Sequence, residues 1–130
     1  MGAGQMEAIE RGIADAYKGI SDPLDPPGVC CTFETRNTAD EEVWIQVIAG
    51  SVNMMYPFDD EPFERFRSTG VRRPQNVDII DWVANSYATF DVDDVSVRDQ
   101  AFLVDQLFTK VLGCDDGSYE VAASFEDLEG

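Results

Sequence analysis

Residues Glu42 to Phe58, EVWIQVIAGSVNMMYPF, hold two apolar runs separated by a single Gly-Ser pair. Such runs around a two-residue turn signal read as a β-hairpin. Side chains alternate between the two faces of a strand. With Gly50 and Ser51 at the tip, Ala49 opposes Val52, Val47 opposes Met54 and Ile45 opposes Tyr56. Together with Val43 these residues make one wholly apolar face. The other face carries Trp44, Gln46, Ile48, Asn53 and Met55. An antiparallel sheet wetted on one side reads cleanly polar there, so this mixed face calls for a covering. Three coverings are open: a helix or the Pro-rich loop of the same chain, a second copy in a homodimer, or an extended segment of another protein. Trp and Met suit the last of these. A one-residue slip of register would exchange the two faces.

The flanking segments supply helices and further strands. MEAIERGIADAYKGI has apolar residues at Met6, Ile9, Ile13, Ala16, Tyr17 and Ile20, the stripe of an amphipathic helix. Gly12 weakens it slightly. Gly19 and the Pro-rich SDPLDPPG end it. VCCTFET (Val29 to Thr35) reads as a strand, so the hairpin completes a three-stranded meander ended by Pro57. DDEPFERFRSTG reads as a short helix, with Asp59 or Asp60 as cap, Pro62 in the first turn and Gly70 as stop. NVDIIDWVANS, with Asn76 as N-cap, reads as a second helix. YATFDVD reads as a strand with Tyr87 and Phe90 as packing residues. SVRDQAFLVDQLFTKVLG is the clearest helix, opened by Ser96 with Asp99 and closed by Gly113. DDG (Asp115 to Gly117) is a turn, and YEVAASF a last strand. The expected fold is one α+β domain over 1–130, in the order α-β-β-β-α-α-β-α-β, with helices on one face of a mostly antiparallel sheet. Residues 1–5 are read as a flexible N-terminus.

Composition narrows the function. The chain has 26 acidic and 9 basic residues, a net charge of −17. That field repels nucleic acid and anionic membranes, so neither is expected as a direct partner. It either attracts a basic protein or solvates the surface generally, as in adaptation to high salt. No apolar stretch approaches the roughly 18 residues of a membrane span, and the N-terminus lacks the basic and apolar regions of a signal peptide. A cytoplasmic protein is the expectation. Cys30, Cys31 and Cys114 are odd in number and two are adjacent, which is no disulfide framework. They read as buried, reduced thiols.

Chemistry is thin. The chain has no histidine, which removes Ser-His and Cys-His catalysis; with no CxxC either, no zinc site is expected. There is no Walker A loop and no GxGxxG. DVDDVSVRDQ fails the EF-hand pattern, because Val95, Ser96 and Phe102 stand at its fifth, sixth and twelfth positions. No catalytic residue, metal site or cofactor is expected. Arg65, Arg67, Arg72 and Arg73 cluster between two acidic halves, and pairing with the chain's own acids is favoured over a phosphate or carboxylate contact.

EEVWIQVIAG, its partner SVNMMYPF, the short helix with GVRRP, the Trp of IIDWVANSY and AFLVDQLFTKVLG follow one another over most of residues 6–125. In this order and hydrophobic placement the chain resembles the type III secretion chaperone-like and YbjN-like group, the TY-Chap domains. The resemblance implies a small, acidic, often dimeric chaperone that holds a partner's segment in extended form. It departs from that pattern by ending in a strand after the last long helix, and no family functional residue carries across. The expected function is therefore a non-enzymatic, chaperone-like module that binds a protein, a basic one if the acidic field steers it, through Trp44, Gln46, Ile48, Asn53 and Met55. The alternative is an immunity or inhibitor protein that masks a basic toxin or nuclease with its carboxylates.

Overall fold

The computed structural model describes residues 3–18, 29–48, 50–114 and 121–127. Helix α1 (Ala3–Lys18) leads into strands β1 (Val29–Arg36), β2 (Glu42–Ile48) and β3 (Ser51–Tyr56). Helix α2 (Pro62–Thr69), strands β4 (Asp78–Val83) and β5 (Ser86–Asp91), helix α3 (Val97–Gln106) and strand β6 (Ala122–Asp127) follow. One π-helical turn, Leu107–Val111, extends α3. The six strands form one antiparallel sheet in the order β4-β5-β3-β2-β1-β6. The class is the α+β expected, with one strand more and one helix fewer. The segment SDPLDPPG, with Gly19 and Ile20, the turn DDG and Tyr119 lie outside the described residues.

The β2–β3 hairpin occupies the centre of this sheet. Ile45 pairs with Met54, Val47 with Val52 and Ile48 with Ser51. The register thus differs by two residues from the expected one: Val52 opposes Val47 and not Ala49. Because the side-chain period is two, a slip of two leaves every residue on its expected face. Val43, Ile45, Val47, Val52, Met54 and Tyr56 are buried, and Trp44, Gln46, Ile48, Asn53 and Met55 stand on the opposite face. Gly50 takes φ 87°, the left-handed conformation a tight turn asks of glycine.

Residues 76–86 are a correction. NVDIIDWVANS forms no helix; its core is strand β4, paired to β5. A bulge explains the misreading. Ile79 pairs with Phe90 but Asp81 with Thr89, so Ile80 is an extra residue. It shifts the next inward position from 81 to 82. Ile79 and Trp82 then both pack against the core, three residues apart, which imitates helical spacing. Asn76 and Asn85 are turn residues with φ 70° and 60°, not helix caps.

The helices all pack on the face of the sheet that carries Phe33, Ile45, Val47, Met54, Ala88 and Phe90. Ile9 and Ile13 of α1, Phe66 of α2, and Leu103, Val104, Leu107 and Phe108 of α3 and its extension complete one core with them. α2 is capped by Glu61, whose carboxylate accepts the Phe63 N–H at 2.6 Å, and not by Asp59 or Asp60. Ser96 caps α3 as expected, accepting from Asp99 N–H at 3.1 Å. Gly113, at φ 84°, ends the extension, and Asn37 and Thr38 of the β1–β2 turn cover its last carbonyls. All three cysteines are buried and none is in a disulfide. Burial and the nearby Asp105 push the Cys114 thiol up to about 11.

Gly12 is more than a weak point in α1. A Cβ built there would stand 2.6 Å from Cζ of the buried Phe33 ring and 3.0 Å from Sγ of Cys31. The helix lies against β1 at this residue because it has no side chain. Gly12→Ala should therefore destabilise the protein, even though alanine is the better helix former by about 1 kcal/mol. Overpacking of this kind costs roughly 1–3 kcal/mol, and a lower urea midpoint is the expected result. A raised midpoint would show that α1 moves away without loss.

Candidate functional site

The face of the sheet away from the helices is built in cross-strand rows. The middle row runs Ser124, Thr32, Gln46, Asn53, Thr89 and Asp81, one residue from each strand. Its centre is a chain of side-chain hydrogen bonds. Gln46 Nε2 donates to Thr32 Oγ1 at 3.4 Å, Asn53 Nδ2 to Gln46 Oε1 at 3.2 Å, and Thr89 Oγ1 to Asn53 Oδ1 at 2.8 Å. Polar groups directly opposite one another across strands are near enough to bond this way. Gln46 and Asn53, expected as partner contacts, thus spend much of their bonding capacity on each other and on two threonines.

The apolar groups lie on either side of that row. Trp44 and Met55 flank the Ile45–Met54 pair, and Met55 pairs with Tyr87, which pairs with Val83. Trp44 and Met55 are half-buried, and Met55 also touches the core cluster. Val83 is 46% exposed and Ile80, in the bulge, 57%. On the other side stands Ile48, opposite Ser51. Two shallow hollows result. One, of about 370 Å³, is lined by Ile48, Ser51, Asn53, Tyr87 and Thr89. The other, of about 250 Å³, is lined by Thr32, Glu34, Trp44, Gln46 and Ser124. The five expected residues therefore share a face but divide between two hollows, with Met55 lining neither.

Tyr87 is the residue the sequence reading misplaced. Packing alongside Phe90 is not its place, because residues three apart on a strand point to opposite faces. Phe90 is in the core; Tyr87 is on the face away from the described helices, its hydroxyl donating to Asp81 Oδ2 at 2.6 Å. That bond, with some desolvation, raises the Tyr87 pKa. Acids stand at both ends of the face: Glu34 on β1, and Asp78 directly opposite Asp91 between β4 and β5. Like charges placed so oppose each other. Among the described residues no group of three or more Cys, Asp or Glu is arranged to hold a metal ion, and no helix is long and apolar enough to cross a membrane.

Two residues beyond the sheet complete the electrostatics. Arg65 Nε donates to Asp60 Oδ1 at 2.9 Å and its guanidinium lies 3.7 Å over the Phe58 ring. Tyr56 Oη donates to the Asp60 carbonyl at 2.7 Å. Burial, then the Asp60 charge, raises the Tyr56 pKa.

Two measurements bear on this geometry. Asn53→Ala removes the centre of the polar row, and a loss of about 1 kcal/mol in urea unfolding is expected; no loss would mean that water already replaces these bonds. Arg65 holds the Asp60 carboxyl below its ordinary value. A lowered folded-state pKa contributes stability that is present above the ordinary carboxylate range and lost as pH falls through the lowered value. The gap in melting temperature between the wild type and Asp60→Asn should accordingly be widest near neutrality and close under acid. A gap independent of pH would remove the ion pair as its cause.

No protein-family model, curated protein or solved structure matches this chain.

Proposed function

We propose that this chain is a non-enzymatic, cytoplasmic protein-binding module, chaperone-like in mode, which receives an extended segment of a partner on the open face of its sheet. The observation that carries this reading is the position of Trp44 and Met55. They sit half-exposed on the central strands, on the side opposite every described helix. Trp and Met are the side chains that give adaptable, desolvated contacts in recognition surfaces, and Tyr87 adds a third next to Met55. The acids at the two ends of the face, Glu34, Asp78 and Asp91, favour a segment that carries basic residues there. A second copy of this chain is the weaker occupant, because it would bring a net charge of −17 against the same charge.

The test is capture from the source lysate with the tagged wild type and with Trp44→Ala and Met55→Asp. One stoichiometric partner retained by the wild type and lost by both variants, at unchanged melting temperature, is the expected result. Variants that keep the partner would overturn the reading, and variants that unfold would put these side chains in the core. The alternative reading, a carboxylate mask for a basic toxin or nuclease, rests on the acidic surface alone. It requires capture that collapses between low and high salt and that is indifferent to Trp44.

A further inference from the structure

The helical side of the molecule carries a second surface, on which arginines gather. Four of the arginines, Arg65, Arg67, Arg72 and Arg73, fall within nine residues of a chain with 26 acids. Pairing with the chain's own acids holds for Arg65 only: Arg67, Arg72 and Arg73 have no carboxylate within ion-pair distance among the described residues. Their backbone is held firmly nonetheless. Buried Gln106 accepts the Arg72 N–H at 2.7 Å and donates to the Arg72 carbonyl at 2.9 Å. Lys110 Nζ donates to the Gly70 carbonyl at 2.9 Å, and Val71 N–H to Phe66 O at 2.9 Å. The Arg73 guanidinium lies 3.9 Å over the Phe63 ring, and that ring is stacked on core Phe90. Arg67 and Arg73 both line a hollow of about 310 Å³ with Phe63, Phe66, Val71 and Glu61, whose carboxylate is engaged as the α2 cap. Phe102, 41% exposed, lies with Arg72 and Arg73 in the adjoining depression, which Asp94 and Asp99 also line.

We infer that Arg67 and Arg73, over the Phe63 and Phe66 rings, form a docking site for a short acidic segment of a partner protein that carries an apolar side chain beside its carboxylates. Three properties argue for this. Among the described residues neither cation is in an ion pair. One is pre-oriented by stacking, which leaves its N–H edge for a bidentate carboxylate. Arg67 stands on helix α2 and Arg73 on a loop fixed by bonds from a buried glutamine, so little order remains to be gained on binding. The aromatic floor suits a peptide better than a polyphosphate. A nucleic acid strand would also bring one charge per phosphate into a net field of −17, over a length far beyond three arginines. The site is independent of the open sheet face, since α2 packs on Phe90, on the other side of the sheet.

The experiment uses the full chain and a fluorescein-labelled octapeptide of glutamates around a central tryptophan, followed by anisotropy. The same peptide with lysine for glutamate reports binding to the general acidic surface. The Arg67→Gln/Arg73→Gln double variant should lose about tenfold or more in affinity for the glutamate peptide, at unchanged melting temperature. Arg73→Lys, which keeps the charge and loses the planar fork, should fall between. Trp44→Ala should bind the peptide as the wild type does, which separates this site from the sheet-face reading. Equal affinity in wild type and double variant would overturn the inference, and so would absence of binding at millimolar peptide. Inorganic phosphate that displaces the peptide at equal or lower concentration would overturn the polypeptide assignment in favour of a small anion.

Discussion

Antiparallel pairing of β2 with β3 at the middle of six strands is the constraint on which the rest depends. A central strand is shielded from water laterally by neighbours on both sides, whereas an edge strand is not. This accounts for the two-sided apolar character of the hairpin. Its inner face is sealed by α1 and α3 with their core side chains. Its outer face is half-shielded by the side chains of the neighbouring strands β1 and β5, which pair directly with it. The polar row through Gln46 and Asn53 then satisfies the amides that this shielding would otherwise strand. What remains half-exposed is small: Trp44, Ile48, Met55 and Tyr87 on either side of a hydrogen-bonded stripe.

Much of the fold was legible because it is written at short range. The apolar stripe of α1, the Ser96 cap, the Gly70 and Gly113 stops and the period-two hairpin are local signals, and each element they define is present. The face assignment of Trp44, Gln46, Ile48, Asn53 and Met55 survived a register error because the error was an even number of residues. Most of the failures have their cause in what lies beyond a single segment. The β4 bulge turns a strand's spacing into a helix's, and only pairing with β5 reveals it. Gly12 looks like a mild helix breaker until Phe33 is brought beneath it. Tyr87 was misassigned against a local rule: alternation within YATFD already separates it from Phe90. The hydrogen-bonded chain in the polar row was not legible, since its four members come from four strands and meet only through the sheet order.

The two surfaces differ in how they were prepared. On the sheet face, rigidity comes from the ladder itself, and the apolar contacts are presented by backbone that pairing holds on both sides. On the helical side an irregular loop presents Arg72 and Arg73, and irregular loops are ordinarily mobile. Gln106 substitutes for a neighbouring strand there: its amide pairs with the N–H and carbonyl of Arg72 as another backbone would. A buried amide is costly unless satisfied. Its burial on α3 and its engagement by the loop therefore support each other. The placement of the cations is thus coupled to the core by the same helix that seals the sheet.

The charge of the molecule acts on these surfaces in opposite senses. The described ion pairs, Arg36–Asp40 and Arg65–Asp60, use few of the 26 acids, so most of the negative charge is a solvated field and not a set of bridges. Such a field repels itself, and salt relieves that repulsion. Compactness of the fold therefore gains from ionic strength, while attraction of a basic segment to the ends of the sheet face declines with it. An acidic segment at Arg67 and Arg73 meets both effects: local attraction, which salt weakens, and long-range repulsion, which salt removes. Its affinity consequently changes less with salt than that of a basic segment on the sheet face. If both proposals hold, a highly acidic chain whose Arg67, Arg72 and Arg73 have no ion pair among the described residues would have two recognition surfaces that ionic strength tells apart.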